Sequence, residues 1–252
     1  MTESNSVSLN RVASRLAQVC APVRNVLLAA SMIFLVTGCA TSGNPKDPLE
    51  GFNRAMFALN DGLDQVVLKP VATGYENVLP VPVRTGVSNF FGNLGDLFVG
   101  ANNLLQGKLA DGFGDFGRVA VNTTIGLLGV FDVATELGIA KHNEDFGQTL
   151  GFWGVGDGPY VVLPVFGPRT ARDTVGFVVD RAADPVTQMD HDPSRYAMTV
   201  LRIINQRAEL LPADKMIDEA ALDKYSYIRS AYLQRRRSLI YDGNPPRDRD
   251  DD

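Results

Sequence analysis

Residues 83–104 read VRTGVSNFFGNLGDLFVGANNL, and this stretch decides the fold class. Apolar side chains return in it every three or four positions, at Val83, Val87, Phe90, Leu94, Leu97, Ala101 and Leu104. A second ladder from Phe113 to Ile125 repeats the pattern. This is the period of an α-helix with one apolar face. We therefore predict a mainly α-helical protein with few or no strands.

Glycine interrupts the two ladders at positions 86, 92, 95, 100, 107, 112, 114, 117 and 126. Inside a helix, each glycine costs up to about 1 kcal/mol relative to alanine. The frequency of glycine indicates either breaks in the helices or helix backbones that pack very closely, as small residues allow in membranes. A loop-rich soluble fold is the alternative explanation.

Helix signals also precede the first ladder. The sequence DPLE at residues 47–50 has an N-cap aspartate, a proline in the first turn and a glutamate three residues after the cap. Apolar residues then recur at helical spacing as far as Val66. We expect Pro70 to end this helix, and we expect residues 79–82 to be extended because a proline disfavours helix in the residue before it.

The second half of the chain contains a turn-rich segment and two further helices. Residues 145–168 are rich in glycine, aromatic and β-branched residues, which predicts a loop system. Asp192 and Pro193 open a helix whose apolar face extends to Leu211, and a last helix covers residues from about 214 to 240. We expect the arginine triplet 235–237 to be solvated at the end of this helix. Contact with anionic lipid is the alternative.

The first 38 residues have the pattern of a secretory signal peptide. Arginines at 11, 15 and 24 precede an apolar run at residues 26–36. About a dozen apolar residues are too few to span roughly 30 Å of hydrocarbon as a helix. A buried core helix is the alternative. The part before Arg24 is long for a signal, so an extended leader and a later start codon both stay open.

A lipobox follows the apolar run. The sequence VTGC at residues 36–39 places two small residues before a cysteine whose thiol can carry a diacylglyceryl group. We expect cleavage before Cys39, lipidation of Cys39 and a small polar tether over residues 39–46. Ala40, in place of an aspartate, is typical of lipoproteins sorted to the outer membrane.

The expected mature chain is one acidic domain. Removing 38 of the 252 residues leaves 214, enough for a domain with its own core. We assign residues 47–241 to this domain and residues 242–252 to a disordered acidic tail. The net charge of −5 argues against a nucleic-acid partner. Because Cys20 lies in the leader, the mature chain would have no internal disulfide.

Residues that could carry catalysis or bind a metal are few. His142 and His191 lack the spacing of a zinc site, and we expect both in exposed polar loops. Ser88 follows a glycine but lacks the second glycine of a nucleophile elbow, so we do not expect it to be a nucleophile. The stretch GVGDGP at residues 154–159 has no phosphate-loop lysine and predicts a structural turn. We predict neither an enzyme nor a cofactor.

From Asp47 to Asp180 the sequence resembles the VacJ/MlaA family of lipoproteins. The resemblance rests on a long series of motifs in the same order. They are DPLEGFNR (47–54), LKPVA (68–72), VPVR (81–84), SNF (88–90), LQG (105–107), NT (122–123), GLLGVFDVA (126–134), FGQTLG (146–151), GVG (154–156), GPY (158–160), LP (163–164) and RD (172–173). The C-terminal helices and the tail match the family only in character.

The resemblance implies a ring-like domain of amphipathic helices in the inner part of the outer membrane. Such a ring surrounds a passive amphipathic channel that removes phospholipids from the outer leaflet. The family passes these lipids to a periplasmic lipid carrier, commonly beside a trimeric porin, and so maintains lipid asymmetry.

The same resemblance suggests residues for the lipid path. For the headgroup track, the candidates after the turn-rich segment are Arg172, Asp173 and Asp180. For the channel loop, the candidates are Gly126, Gly129, Phe131, Asp132, Phe146 and Gly147. Residues 135–145 join the two groups of channel-loop candidates and by resemblance form a mobile gate, with an idle surface loop as the alternative.

Two other function classes stay open. A lipoprotein hydrolase would need a nucleophile paired with a base, which the sequence does not supply. A purely structural envelope lipoprotein would explain the anchor and the helices, but not the ordered motifs.

Overall fold

The computed structural model of the protein describes residues 47–246, except for the side chains of residues 215 and 220. The predicted signal peptide, the lipidation site Cys39, the tether and the tail residues 247–252 lie outside the described residues. The described residues fall into two compact units, residues 47–52 and residues 53–246. In the first unit, the described residues are a turn and the start of a helix.

The described chain is mainly α-helical. Its helices are α1 (Glu50–Leu63), α2 (Lys69–Val78), α3 (Val81–Leu105), α4 (Leu109–Thr124), α5 (Val133–Glu136), α6 (Phe146–Phe152), α7 (Ala171–Ala183), α8 (Asp192–Ala220) and α9 (Lys224–Ile240). Strands β1 (Tyr160–Leu163) and β2 (Gly167–Thr170) form an antiparallel hairpin with Tyr160 opposite Thr170. The predicted fold class is confirmed in its helical character and few strands, and the ring shape stays a prediction.

Pro70 does not end the first helix, so that prediction is wrong. A π-helical turn, Asp64–Leu68, connects α1 to α2, and the Lys69 N–H bonds to the Asp64 carbonyl five residues back. Pro70 is the second residue of α2. A proline lacks an N–H and crowds the preceding turn, and the wider π turn accommodates it without breaking the helical path.

Helix α3 confirms the ladder from which the fold class was predicted. Leu79 and Pro80 are extended, as expected. Val81 and Pro82 already belong to α3, so the extended prediction is wrong for them. A proline is tolerated in the first turn of a helix because the N–H groups there have no partner within the helix.

Gly100 of α3 and Gly112 of α4 allow the two helices to pack closely. A Cβ on Gly100 would lie 3.1 Å from the carbonyl oxygen of Gly112, and a Cβ on Gly112 would lie 3.0 Å from that of Gly100. Both helices continue through these positions. Gly107 makes the turn between them with a φ of +78°. Of the two explanations for the glycine frequency, close packing therefore applies at this crossing.

Residues 145–168 are more ordered than predicted. They contain α6, which begins where the Asp145 side chain accepts the Gln148 N–H, and the strand β1. Asn53 fixes this strand by donating to the Tyr160 carbonyl at 3.0 Å and accepting the Val162 N–H at 2.8 Å. The predicted structural turn at 154–159 is present between α6 and β1, with positive φ at Gly154 and Gly158.

Helix α8 extends into the region predicted for the last helix, which begins at Lys224 and not near residue 214. It runs through Pro212 to Ala220, and Ala221 lies in the connection to α9. Arg207 spans the proline, pairing with Asp214 at 2.6 Å and with Asp64 at 2.6 Å. These charged contacts hold both sides of the proline position in place.

Polar residues occupy much of the interior, and large apolar side chains lie outside. Among residues 47–246, eighteen polar or charged residues are buried, against nine hydrophobic ones. Val66, Phe113 and Leu128 are 76%, 67% and 66% exposed. Large apolar side chains exposed in this number are typical of proteins that contact lipid or another protein. Within the described range, no helix combines the length and hydrophobicity needed to cross a membrane.

Candidate functional site

A cavity of about 460 Å³ lies between α3, residues 143–145, α7 and α8. One part of its wall is apolar and consists of Phe91, Leu94, Phe98, Val99 and Phe177. The polar part consists of Ser88, Asn143, Glu144, Asp145, Asp180, Arg181, Asp184, Arg202, Asn205, Gln206 and Glu209. Such a lining suits a molecule that has both charged and apolar parts.

Most charges in the wall are neutralised by neighbouring groups. Glu144 pairs with Lys108 at 3.0 Å. Asp184 accepts two hydrogen bonds from the guanidinium of Arg202, at 2.5 and 3.2 Å. The same guanidinium lies 4.9 Å from the ring centroid of Phe91. Arg202 is therefore held on both sides by the protein.

Two further carboxylates of the wall have uncharged partners. Glu209 accepts hydrogen bonds from the Ser88 hydroxyl and from Asn205, the latter at 3.1 Å. Asp180 accepts the backbone N–H of Phe146 at 3.2 Å. Burial raises the pKa of Asp180 to about 6, although the Phe146 N–H favours the charged form.

Arg181 is the second cation of the wall, and it is free. Its guanidinium has no hydrogen-bond or ion-pair partner among residues 47–246. Its backbone is fixed at the end of α7, where its carbonyl accepts the Thr187 hydroxyl at 2.7 Å. The cavity thus contains one guanidinium whose donors the protein does not use.

Two of the three predicted headgroup residues, Arg172 and Asp173, lie in a buried ion-pair cluster. Asp173 is 3.1 Å from Arg172 and 2.9 Å from Arg236. It also accepts the Tyr232 hydroxyl at 2.7 Å. Arg236 reaches Asp145 at 2.9 Å in addition. Neither Arg172 nor Asp173 lines the cavity, which the cluster borders through Asp145.

The charges of this cluster stabilise one another. Burial by itself would raise the pKa of Asp173, but the charge of Arg236 and the Tyr232 hydroxyl outweigh it and hold that pKa below its usual range. Hydrogen bonds from Arg236 outweigh burial at Asp145 in the same way. The expected solvated position is wrong for Arg236, because carboxylates from two distant segments neutralise its charge in the interior.

Four predicted channel-loop residues lie in the turn between α4 and α5, namely Gly126, Gly129, Phe131 and Asp132. Asp132 accepts two hydrogen bonds from the fully buried Arg118, at 2.9 and 3.0 Å. Although burial opposes it, hydrogen bonds from Thr135 and Asn122 and the Arg118 charge lower the pKa of Asp132 to about 2. The turn is therefore fixed by a permanently charged pair.

The backbone of this turn is strained. Leu127 and Leu128 have φ values of 51° and 60°, in the left-handed region that leucine rarely adopts. Both side chains are exposed. Gly129 has a φ of 87°, and a Cβ there would lie 2.6 Å from Asn93. Strain of about 1–3 kcal/mol per residue persists only where surrounding contacts enforce it.

The other two channel-loop candidates, Phe146 and Gly147, begin α6 and pack on α7. A Cβ on Gly176 would lie 2.6 Å from the Gly147 Cα. Phe146 donates its N–H to Asp180, so this pair of residues borders the cavity wall. Residues 126–132 do not line that cavity. The structure thus brings Phe146, Gly147 and Asp180 together, and it places the 126–132 turn elsewhere.

The predicted gate, residues 135–145, is attached to α4, the α3–α4 connection and α9. Its carbonyl at Ile139 accepts from Arg118 at 2.6 Å, and His142 lies 2.9 Å from the buried Asp115. Near its end, Glu144 pairs with Lys108, and Asp145 pairs with Arg236. The mobility of this segment stays a prediction.

A family model described as MlaA lipoprotein matches residues 45–239. The chain belongs to the MlaA lipoprotein family. The resemblance drawn from the motifs is thus confirmed, and the family match also includes the C-terminal helices.

Relatives of the family span most of the chain. The intermembrane phospholipid transport system lipoprotein MlaA of Escherichia coli (strain K12) is 40% identical over 217 residues, covering 83% of this chain and 86% of the relative. Its namesake in Haemophilus influenzae is 33% identical over 231 residues, covering 87% and 92%. A protein of Rickettsia bellii described as uncharacterized is 35% identical over 195 residues, covering 77% and 76%.

A solved structure has the same fold. It comes from work on the structural basis for maintenance of bacterial outer membrane lipid asymmetry. Its TM-score with this chain is 0.68 at 37% identity, and the match covers 79% of this chain and 99% of that chain. The arrangement of helices described above is therefore that of the MlaA family.

The histidines and Ser88 take structural positions in this MlaA-family chain. Ser88 donates to Glu209, while His191 is exposed and caps α8 by accepting the Ser194 N–H. His142 is half-buried against Asp115, so the expectation of an exposed loop is wrong for this residue. In the part of the chain that the structure describes, no three His, Cys, Asp or Glu residues are grouped to hold a metal ion.

Sequence reasoning missed Arg181 and Arg202, the two cations of the cavity. The sequence did contain a signal for Arg181, because a residue four positions after Phe177 lies on the same face of the same helix. Arg172, which was chosen instead, is nine residues before Arg181, and at about 100° per residue the two arginines point to opposite sides of α7. Helical periodicity reveals this opposition, but only the packing of α7 shows which side borders the cavity.

Proposed function

We propose that this protein is a lipoprotein of the outer membrane that forms a passive amphipathic channel for phospholipids. It removes mislocalised phospholipids from the outer leaflet and passes them to a periplasmic lipid carrier, which maintains lipid asymmetry. The observation that carries the proposal is a cavity lined by both apolar and charged side chains, in a domain that exposes many large apolar side chains. A phospholipid has the same division into charged headgroup and apolar chains.

The exterior of the protein supports a position within one leaflet. Exposed apolar side chains such as Ile125, Leu127 and Phe131, at 65%, 64% and 58% exposure, would contact acyl chains. Acyl chains on Cys39 would hold the protein there after removal of residues 1–38. The domain of residues 47–241 and the acidic tail of residues 242–252 complete this proposed organisation.

The relatives support phospholipid as the substrate, since those from E. coli and H. influenzae are named for intermembrane phospholipid transport. A periplasmic carrier and a trimeric porin are the protein partners of the proposal. A passive channel requires no cofactor. The acidic net charge of the chain does not favour a nucleic-acid partner.

The predicted headgroup residues have two different positions in this proposal. Asp180 borders the path directly. Arg172 and Asp173 act from behind the wall, because Asp173 pairs with both Arg172 and Arg236 and so fixes α7 against α9. Residues 135–145 serve as the gate, with the Arg118–Asp132 pair fixing the turn that precedes them.

The experiment is a measurement of outer-leaflet phospholipid in cells that lack this gene, with and without complementation. The complementing proteins are the wild type and the non-lipidated variant Cys39→Ala. We expect outer-leaflet phospholipid to rise in the deletion strain and to return to normal only with the lipidated protein.

An unchanged leaflet in a deletion strain without a second copy of the gene would contradict channel function. It would favour a structural envelope lipoprotein instead. Release of lipid breakdown products by the purified protein would favour a hydrolase.

A further inference from the structure

Two cavities share lining residues at the end of α7. The first is the 460 Å³ cavity described above. The second, of about 420 Å³, is lined by Phe177, Val178, Arg181, Ala182, Thr187 and Gln188. Phe177 and Arg181, one helical turn apart, line both. One ligand can therefore contact the Arg181 guanidinium and extend an apolar part along Phe177.

The Arg181 guanidinium has no partner among the described residues, although carboxylates line the same cavity. Asp184 is occupied by the two hydrogen bonds from Arg202. Asp180 precedes Arg181 and lies about 100° away around the helix, where it accepts the Phe146 N–H. Among residues 47–246, no group accepts a hydrogen bond from the Arg181 guanidinium. The Arg181 side chain is partly exposed, so its guanidinium donors are open to a ligand that supplies an anion.

We propose that Arg181 binds the phosphate diester of a phospholipid in this cavity, with an acyl chain against Phe177 and Val178 in the second cavity. This inference rests on the proposed function and names the residue that recognises the substrate. A planar guanidinium can donate two parallel hydrogen bonds to phosphate oxygens. The carboxylates of the wall repel a phosphate elsewhere in the cavity, which directs it to Arg181.

The end of α7 holds Arg181 ready for this contact. The Thr187 hydroxyl binds the Arg181 carbonyl at 2.7 Å. Gln188 donates to the Ala182 carbonyl at 2.9 Å. These bonds occupy carbonyl groups that the helix leaves without partners at its end. A site on a fixed helix end positions its ligand more precisely than one on a free loop.

The test measures lipid binding to the purified full-length lipoprotein in detergent. The probes are phosphatidylglycerol, the diacylglycerol with the same acyl chains, and inorganic phosphate. The variants are Arg181→Gln and Arg181→Lys, with Arg235→Gln as the matched control. Arg235 is exposed on α9 and has no recorded partner among the described residues. Circular dichroism checks that each variant is folded.

We expect Arg181→Gln to weaken phosphatidylglycerol binding about tenfold, the effect of losing charge-assisted hydrogen bonds. Diacylglycerol binding should not change. Arg181→Lys should lose less, because it keeps the charge but not the paired donors. Arg235→Gln should behave as the wild type.

Equal phosphatidylglycerol binding by Arg181→Gln and the wild type would overturn the assignment of Arg181 while leaving the proposed channel intact. Arg181-dependent binding of inorganic phosphate, without discrimination between the two lipids, would overturn the lipid assignment and indicate a free-anion site. A wild type that binds neither lipid would overturn the proposed function together with this inference.

Discussion

The guanidinium of Arg236 lies 2.9 Å from the carboxylate of Asp173, although 63 residues separate them in the sequence. The Asp173 side chain is 3% exposed and that of Arg236 is 11% exposed. Breaking such a pair by removing one partner costs more than the pair itself contributes, because the remaining charge stays buried without compensation.

We therefore expect Arg236→Gln to lower the free energy of unfolding by about 3 kcal/mol. The measurement is urea unfolding of the purified chain in detergent, with the exposed Arg235→Gln as the control. Because Asp145 and Asp173 have lowered pKa values in the folded protein, this stabilisation is present above their unfolded pKa of about 4 and is lost as the pH falls through the folded values. An effect of Arg236→Gln that does not decline as the pH falls below about 4 would contradict this account.

Asp180 should have the opposite pH dependence. Its pKa is raised to about 6 by burial, so its neutral form is the favourable one in the folded protein. The stability that protonated Asp180 gives the folded protein, relative to the charged form, is present below the unfolded pKa of about 4. It is lost as the pH rises through 6. Asp180→Asn should therefore gain about 1 to 2 kcal/mol over the wild type between pH 4 and pH 7. Identical slopes of unfolding free energy against pH in the two proteins would show that Asp180 does not titrate in this way.

The contact between α6 and α7 leaves no space for a side chain at Gly176. A Cβ at this position would lie 2.6 Å from the Gly147 Cα, a backbone atom of α6. Because both glycines are within helices, neither backbone can move away easily. Gly176→Ala should lower the free energy of unfolding by about 1–3 kcal/mol, which thermal unfolding measures.

Gly117→Ala in α4 is the matched control for this substitution, since nothing lies within 4 Å of a Cβ there. It should be neutral or stabilising by up to about 1 kcal/mol. If Gly176→Ala were as stable as Gly117→Ala, the close approach of α6 to α7 would be refuted.

The charge of Asp132 should maintain the strained turn that precedes the predicted gate. Asp132→Asn removes the nearer of the two anions that face the fully buried Arg118, the other being Asp96 at 3.5 Å. We expect a loss of about 3 kcal/mol and faster limited proteolysis between residues 126 and 140, because Leu127 and Leu128 can then relax from their left-handed conformation. Glu136→Gln, an exposed residue of α5, provides the control. Equal cleavage rates in the two variants would show that the ion pair does not maintain the strained conformation.

The gate itself can be tested by fixing it. His142 Nε2 lies 3.6 Å from Asp111 on α4, so a short thiol-specific cross-link between His142→Cys and Asp111→Cys should hold the segment on α4. We expect the cross-linked protein to fail to restore lipid asymmetry, while each single variant restores it after the same treatment. Full restoration by the cross-linked protein would indicate an idle surface loop.

Local pattern was sufficient for most of the helices. The three-to-four spacing of α3 and α4 predicted both, and their glycines left a choice between breaks and close packing. The structure decided that choice, because two backbones must be present before the space at Gly100 can be seen to be filled by Gly112. Pro70 misled for a related reason. Whether a proline ends a helix depends on the contacts that neighbouring elements supply.

The candidate site was predicted less completely than the fold. Asp180 was chosen from the sequence and borders the cavity, whereas Arg172 was chosen in place of Arg181 from the same helix. Both are arginines close to carboxylates in the sequence, so residue type alone does not distinguish their positions in the fold. Arg172 is buried in an ion-pair cluster, and Arg181 is free at the cavity wall.

The sequence by itself determined the helical class, the position of the principal helices and, through its ordered motifs, membership of the MlaA family. Its prediction of a lipidated Cys39 awaits experiment. Tertiary structure alone decided which charges are neutralised, since Arg236 meets Asp145 across 91 residues and Asp173 across 63. Periodicity reports on neighbours within a few turns of the chain. The compensation of a buried charge depends on groups that only folding brings within hydrogen-bond distance.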